Sequence, residues 1–204
     1  MKEHTLYYVY DPMCSWCWGY KPVWQQIKTE LEKLVSVQYV VGGLAPDSNQ
    51  AMSAEMQQQI AAYWTRIEAL LGTEFNHDFW LENTPRRSTY PSCRAALAAR
   101  KQGKEIEMIE GIQQAYYLDA KNPSDDDILL EVAESISLDI DAFERDYRSD
   151  SLEHEFQREL EFARSIGGNS FPSLFLTTGK GIIELPIDYQ NPQVTIAQVR
   201  QLTN

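Results

Sequence analysis

Residues 5–10, "TLYYVY", form a run of β-branched and aromatic residues that Asp11-Pro12 closes. That pattern predicts a buried strand. Trp24, Ile27, Leu31 and Leu34 then recur at steps of three, four and three, one face of a helix. This helix is expected to begin near Cys14, with Pro22 inside it as a kink. "SVQYVV" at 36–41 reads as a second strand, closed by Gly42-Gly43. A strand–helix–strand crossover of that length implies a parallel pair.

The middle of the chain carries no strand pattern. Met56, Ile60, Tyr63, Ile67 and Leu70 keep helical spacing, as do Ile106, Ile109, Ile112 and Tyr116. In "PSDDD" (123–127) Ser124 is placed to cap a helix, with Asp127 at the third helical position. Leu152, Phe156, Leu160 and Ala163 mark another helix, stopped by Gly167-Gly168. Roughly four to six helices are therefore expected across 46–166. Strands return at 173–178 and 181–187, with "TTGKG" as the hairpin between them, and a last helix follows around 192–202. The order is β-α-β, a helical block, then β-β-α, so two halves of a four- or five-stranded sheet flank an insertion. The expected division is 1–45 with 167–204 as one α/β domain and 46–166 as an all-helical insertion domain.

Charge and composition narrow the function. A net charge of −12 with no basic stripe argues against a nucleic-acid partner. No apolar run approaches the ~20 residues of a membrane helix. "MKEHTLYYVYDP" places Glu3 and His4 where a signal peptide would need an apolar stretch. The start reads as the first strand of the fold, and the expected compartment is the cytosol. There thiols stay reduced, and a cysteine pair is more often catalytic or metal-binding than structural.

The pair is Cys14 and Cys17 in "DPMCSWCWGYKP". A helix start offers unpaired N–H groups and partial positive charge, which favour a thiolate. Two residues of spacing on that turn bring the second sulfur within reach of the first. Cys14, at the exposed end, would attack a disulfide; Cys17, one turn inward, would resolve the mixed disulfide. Zinc would need two further ligands. Only Cys93 and the scattered His4, His77 and His154 are on offer, with no second paired cluster. The histidines read as surface residues, and Cys93 as a buried small hydrophobe, with a third thiol near the site as the alternative. Asp11 reads as a turn former, with proton acceptance from Cys17 as its other reading. Trp16 and Trp18 could line a peptide-binding surface or simply pack.

These residues resemble the thioredoxin fold, and within it the DsbA family with its helical insertion. "DPMCSWCWGYKP" resembles the cytosolic, FrnE-like branch of predicted disulfide isomerases and oxidoreductases. The resemblance implies a cis proline on a loop facing the cysteines, and "GGNSFPSLFL" (167–176) puts Pro172 there. It also implies a substrate-binding surface of Ser15, Trp16 and Trp18 with Phe171 and Pro172 opposite. The chain departs from DsbA in carrying Ser15-Trp16 where DsbA has a histidine, with no cation closer than Lys21 in sequence. The disulfide should then be less oxidising, so reduction or isomerisation fits better than oxidation. Phe171 stands where the family usually has a smaller residue, which should reshape the groove.

The expected activity is therefore thiol–disulfide exchange on protein or small-molecule disulfides. No resident cofactor or metal is expected, and glutathione is the candidate co-substrate. Two other readings remain. One is a kappa-type glutathione transferase or hydroxychromene-carboxylate isomerase, a family with serine where Cys14 stands and a Ser-Asp pair late in the chain; this sequence has cysteine at the first position and "LPIDY" (185–189) near the second, a poor match. The other is a non-catalytic, thiol-bearing interaction module.

Overall fold

The structure is a computed structural model and describes residues 3–203. Strands β1 (Thr5–Tyr10), β2 (Ser36–Val41), β3 (Ser173–Thr178) and β4 (Gly181–Leu185) form one sheet in the order β2-β1-β3-β4. β1 and β2 run parallel, Thr5 opposite Ser36, across helix α1 (Ser15–Leu31). β3 lies antiparallel to β1, Val9 opposite Ser173. β4 returns antiparallel to β3 through a tight hairpin that pairs Thr178 with Gly181. β4 stops at Leu185, short of Ile187, because Pro186 has no N–H to continue a ladder.

The period-two alternation of β1 sorts its side chains between two layers. Leu6, Tyr8 and Tyr10 face one core, where Tyr8 stacks on Trp24 of α1 with ring centroids 4.3 Å apart. Val9 joins Val40, Phe175 and Ala163 in a second cluster. Tyr7 meets Phe162 edge to face there, at 5.0 Å. Helix α8 (Asp150–Ser165) covers that second face, and α9 (Pro192–Leu202) packs beside α1.

Between β2 and β3 come α2 (Ala54–Leu71), α3 (Phe79–Glu82), α4 (Tyr90–Arg100), α5 (Glu105–Tyr117), α6 (Asp126–Ser135), α7 (Ile140–Tyr147) and α8. These seven, among the described residues, exceed the four to six expected. α3 is a single turn and α7 about two, too short to repeat an apolar period. The core of these helices is continuous with the β1–α1 core through Trp64, Phe79, Cys93 and Leu97.

One local expectation changes. Ser124 does not cap α6; Asp125 holds the cap position, and the buried Ser124 hydroxyl donates to the Ser88 carbonyl at 2.6 Å. Ser88 is itself buried, so its carbonyl needs that partner more than the helix end does. Pro22 lies inside α1, as expected, on its exposed side, and the helix continues as one element from Ser15 to Leu31. No helix among the described residues is long and apolar enough to cross a membrane.

Candidate active site

Cys14 occupies the N-cap of α1 with extended backbone (φ −83°, ψ 114°). Its N–H donates to the Asp11 carbonyl at 3.0 Å, and its carbonyl accepts the first helical bond, from Trp18 N–H, at 3.1 Å. The first turn of α1 carries no acidic side chain, so the positive end of the helix faces Cys14 unneutralised. The Cys14 thiol donates to the Phe171 carbonyl at 3.4 Å and lies within hydrogen-bonding reach of the Cys17 sulfur. The Phe171–Pro172 peptide is cis, and Pro172 is buried opposite the cysteines. The loop at 167–176 therefore meets the cysteine turn through backbone as well as side chains.

The expected exposed end of the pair is not open to solvent. Cys14 is 6% exposed and Cys17 1%. Cys14 instead lines a cavity of about 500 Å³, shared with Ser15, Trp16, Met56, Gln59, Tyr63, Arg87, Tyr116 and Phe171 among others. Burial pushes the Cys17 thiol well above the ordinary range, and the neighbouring Cys14 sulfur adds to this. All three cysteines are free thiols.

The sequence-marked aromatics divide. Trp16 is half-buried on the cavity wall, edge to face with Tyr189 at 5.1 Å. Trp18 turns away: it stacks on Tyr117 at 5.6 Å and donates its indole N–H to the Glu74 carbonyl at 3.0 Å. Trp18 is thus a packing residue, and does not line the Cys14 cavity. Phe171 is held by a glycine. A Cβ added at Gly42 would lie 1.9 Å from the Phe171 ring, so the ring fills the space a side chain there would take. Arg164, at the end of α8, ties the same loops by donating to the Gly42 carbonyl at 2.7 Å and the Gly43 carbonyl at 3.3 Å.

Asp11 exceeds both of its expected roles. It is fully buried and accepts from Met13 N–H (2.8 Å), Leu44 N–H (2.6 Å), the Thr89 hydroxyl (2.6 Å) and the Cys93 thiol (3.5 Å). It joins the cysteine loop, the loop after β2 and the start of α4. Burial raises its carboxyl pKa, with these donors opposing. Its side-chain oxygens bond Cys93 among their four donors, while Cys17 receives a hydrogen bond from the Asp11 backbone and feels the charge of its carboxylate. Cys93 is fully buried behind the site, and burial beside Asp11 raises its thiol pKa.

His77 and His154 are exposed, as the sequence reading expects, while His4 is half-buried. His4 Nδ1 lies 2.9 Å from the Thr177 carbonyl, and His77 Nε2 lies 3.1 Å from the Glu68 carboxylate. Asp188 of "LPIDY" accepts from the N–H groups of Gln190 and Asn191, a turn leading into α9.

Arg87, Gln59 and Tyr116 were not singled out as site residues, and no local motif marks them. The apolar stripe of α2 was legible, but its purpose was not. Met56 and Tyr63 are 37% and 40% exposed and wall the cavity, while Ile67 alone of the five stripe residues is fully buried.

A thioredoxin family model matches residues 7–182. The chain is 26% identical over 176 residues to the ClpXP adapter protein SpxH of Bacillus subtilis, covering 85% of this chain and 58% of that protein. It is 23% identical over 178 residues to the same-named protein of Halalkalibacterium halodurans, covering 84% and 58%. The chain thus spans less than two thirds of the length of these relatives. Among solved structures, a proposed protein disulfide isomerase from Nitrosomonas europaea superposes with a TM-score of 0.86 at 24% identity, covering 98% of this chain and 97% of that one. The cytosolic disulfide reductase DsbM from Pseudomonas aeruginosa, also solved with GSH, superposes at 0.75 and 24% identity, covering 97% and 95%. With the model spanning most of its length and the fold matching DsbA-type oxidoreductases, the chain belongs to the thioredoxin family.

Proposed function

We propose that this chain is a thiol–disulfide oxidoreductase acting as a reductase or isomerase, with Cys14 attacking and Cys17 resolving. The observation that carries it is the placing of the Cys14 sulfur. It sits on an unneutralised helix N-terminus, against Cys17 and the Phe171 carbonyl, on the floor of an accessible cavity. The Cys14 thiolate attacks one sulfur of a substrate disulfide, forming a mixed disulfide and releasing the other sulfur as a thiolate. Cys17 then attacks Cys14, freeing the second substrate thiol and leaving Cys14–Cys17 oxidised. Two electrons pass from the pair to the substrate. A dithiol, or two monothiols such as glutathione, restores the reduced pair.

Burial keeps Cys17 protonated at rest, so it does not compete for outside disulfides. Once Cys14 is held in a mixed disulfide it carries no charge, and the part of the Cys17 shift that Cys14 causes disappears. The cytosolic setting of DsbM supports the same compartment here. Cys17→Ser should accumulate covalent adducts that reductant releases, and Cys14→Ser should trap none and lose disulfide reduction. Mass spectrometry under non-reducing conditions reads both. Full activity in both variants would end this proposal.

A second reading has its own support. Relatives covering 85% of the chain are named adapter proteins, and α2 exposes Met56, Tyr63 and Leu70 along one side. An adapter would bind its partner through that stripe with Cys14 replaced by serine, whereas a reductase loses turnover.

A further inference from the structure

The cavity over Cys14 is charged against the character of the molecule. The chain carries a net charge of −12, yet no aspartate or glutamate lines this cavity, and its single formally charged residue is Arg87. Arg86, next along the chain, is tied to Asp125 and the Ser124 carbonyl. Arg87 is half-buried and has no ion pair among the described residues. A second cation, Arg66, stands 5.9 Å from the ring of Trp16, itself on the cavity wall. Trp64 lines the same cavity, is fully buried, and its indole N–H has no hydrogen-bond partner among the described residues. Tyr116 connects the two, its ring 5.4 Å from Trp64 and its hydroxyl in the field of Arg87. Of the acids around the site, Asp11 lies under Cys14 with four donors already on it. Glu184 lines a separate groove with Pro172.

We infer that the cavity selects small disulfides bearing a carboxylate near the sulfur, with Arg87 as the specificity-determining residue. This rests on the thiol-exchange reading above. A guanidinium with free N–H groups matches a carboxylate with paired, charge-assisted hydrogen bonds. The size fits as well, since about 500 Å³ lies within the ordinary range of roughly 300–1,000 Å³ for small-molecule sites. The sulfur of a cysteine that is only 6% exposed is reached more readily by a small disulfide entering the cavity than by one set on a flat protein surface. In the exchange, Cys14 and Cys17 give up two electrons and two protons. The substrate S–S bond is replaced by the Cys14–Cys17 bond, and two carboxylate-bearing thiols leave. A single turnover therefore needs no added reductant.

The test is single-turnover oxidation of the reduced protein, read as loss of free thiols by alkylation and mass. Three probes of similar size are compared: dithiodipropionate, bis(2-hydroxyethyl) disulfide and cystamine. Each rate is divided by that of the same disulfide with free dithiothreitol, which removes intrinsic reactivity. The normalised anionic rate should exceed the neutral one about tenfold or more, as a charge-assisted pair implies, with the cation slowest. Arg87→Gln should bring the anionic-to-neutral ratio close to one, and Arg87→Lys should restore part of it. In the unmodified protein, added salt should slow the anion selectively. A ratio near one, a ratio unchanged in Arg87→Gln, or no salt effect overturns the inference while leaving thiol exchange standing. If none of the three probes oxidises the pair, this inference falls, while thiol exchange is judged separately by adduct trapping in Cys17→Ser and Cys14→Ser.

Discussion

Cys14 and Phe171 reach the cavity from turns attached to the sheet, whereas Met56, Tyr63, Arg87 and Tyr116 reach it from the run of helices α2 to α5 and its connections. The first group stands where short sequence patterns put it: a cysteine pair after a strand, a proline before one. The second group is assembled from residues far apart in the chain, none of which forms a motif. The reacting sulfur is thus set by local structure, while the surface that meets a substrate is set by tertiary packing. Asp11, Leu44 and Thr89 join the two sides, because one buried carboxylate holds the cysteine loop, the loop after β2 and the start of α4.

The largest break in this comparison should come from Asp11. Asp11→Ala would leave the Met13 and Leu44 N–H groups without their acceptor and the Thr89 hydroxyl with only a long bond, 3.4 Å, to the Ala45 carbonyl. Each buried donor left empty costs about 1–3 kcal/mol, so a loss of about 3 kcal/mol or more is expected in urea denaturation of the reduced protein. A loss under about 1 kcal/mol would show that the two sides are joined some other way. The pH dependence carries a definite sign. Burial raises the folded carboxyl pKa above its unfolded value of about 3.8. The folded state therefore holds the proton more tightly, and this contribution to stability is complete below the unfolded pKa. It is lost as pH rises through the folded pKa. The stability advantage of the native protein over Asp11→Asn should accordingly shrink from about pH 4 upward, measured by denaturation at several pH values.

A smaller effect is expected where Phe171 meets Gly42. Gly42→Ala would place a methyl 1.9 Å from the Phe171 ring and force the ring away, an overpacking that costs about 1–3 kcal/mol. The Phe171 carbonyl also accepts the Cys14 thiol, so the same substitution should alter the rate of Cys14 alkylation. Phe171→Ala should cost less in the Gly42→Ala background than alone. Additive costs in the double-mutant cycle would show that the two residues do not share the space.

Much of this was legible in the sequence, and unevenly so. β1, β2, β3 and α9 fall on the residues their patterns mark, since alternation, aromatic content and Gly/Pro punctuation are local signals. The cysteine pair and the cis proline were equally local, one by spacing and one by the family likeness. Trp18 could not be assigned because packing and lining look alike in sequence; its indole bond to Glu74 decides it. The sequence-based view that no cation lay closer than Lys21 missed Arg87 for the same kind of reason. Seventy-three positions separate Arg87 from Cys14 along the chain, and only the folded path of the insertion puts both on one cavity. Asp11 was read as a turn former because its partners Leu44, Thr89 and Cys93 lie on other elements.

The smallest expected effect concerns α2, and it separates the two functional readings. Met56, Tyr63 and Leu70 share a helical stripe that resembles a core face, yet Met56 and Leu70 are 37% and 51% exposed. Replacing either with glutamine removes little buried area, and both variants should stay within about 0.5 kcal/mol of the native stability in urea. Their functional effects should differ. Met56 lines the Cys14 cavity and Leu70 does not, so only Met56→Gln should change the rate of single-turnover oxidation by a small disulfide. The change should be modest, within a few-fold, because one apolar contact among many is altered. Leu70→Gln should leave that rate as it was. A surface whose role is to hold a protein partner would respond in the opposite way. Leu70→Gln would then weaken partner capture while the chemistry at Cys14 went on unchanged. Equal rates in both variants together with lost capture in Leu70→Gln would favour the adapter reading over the cavity as the working face of this helix.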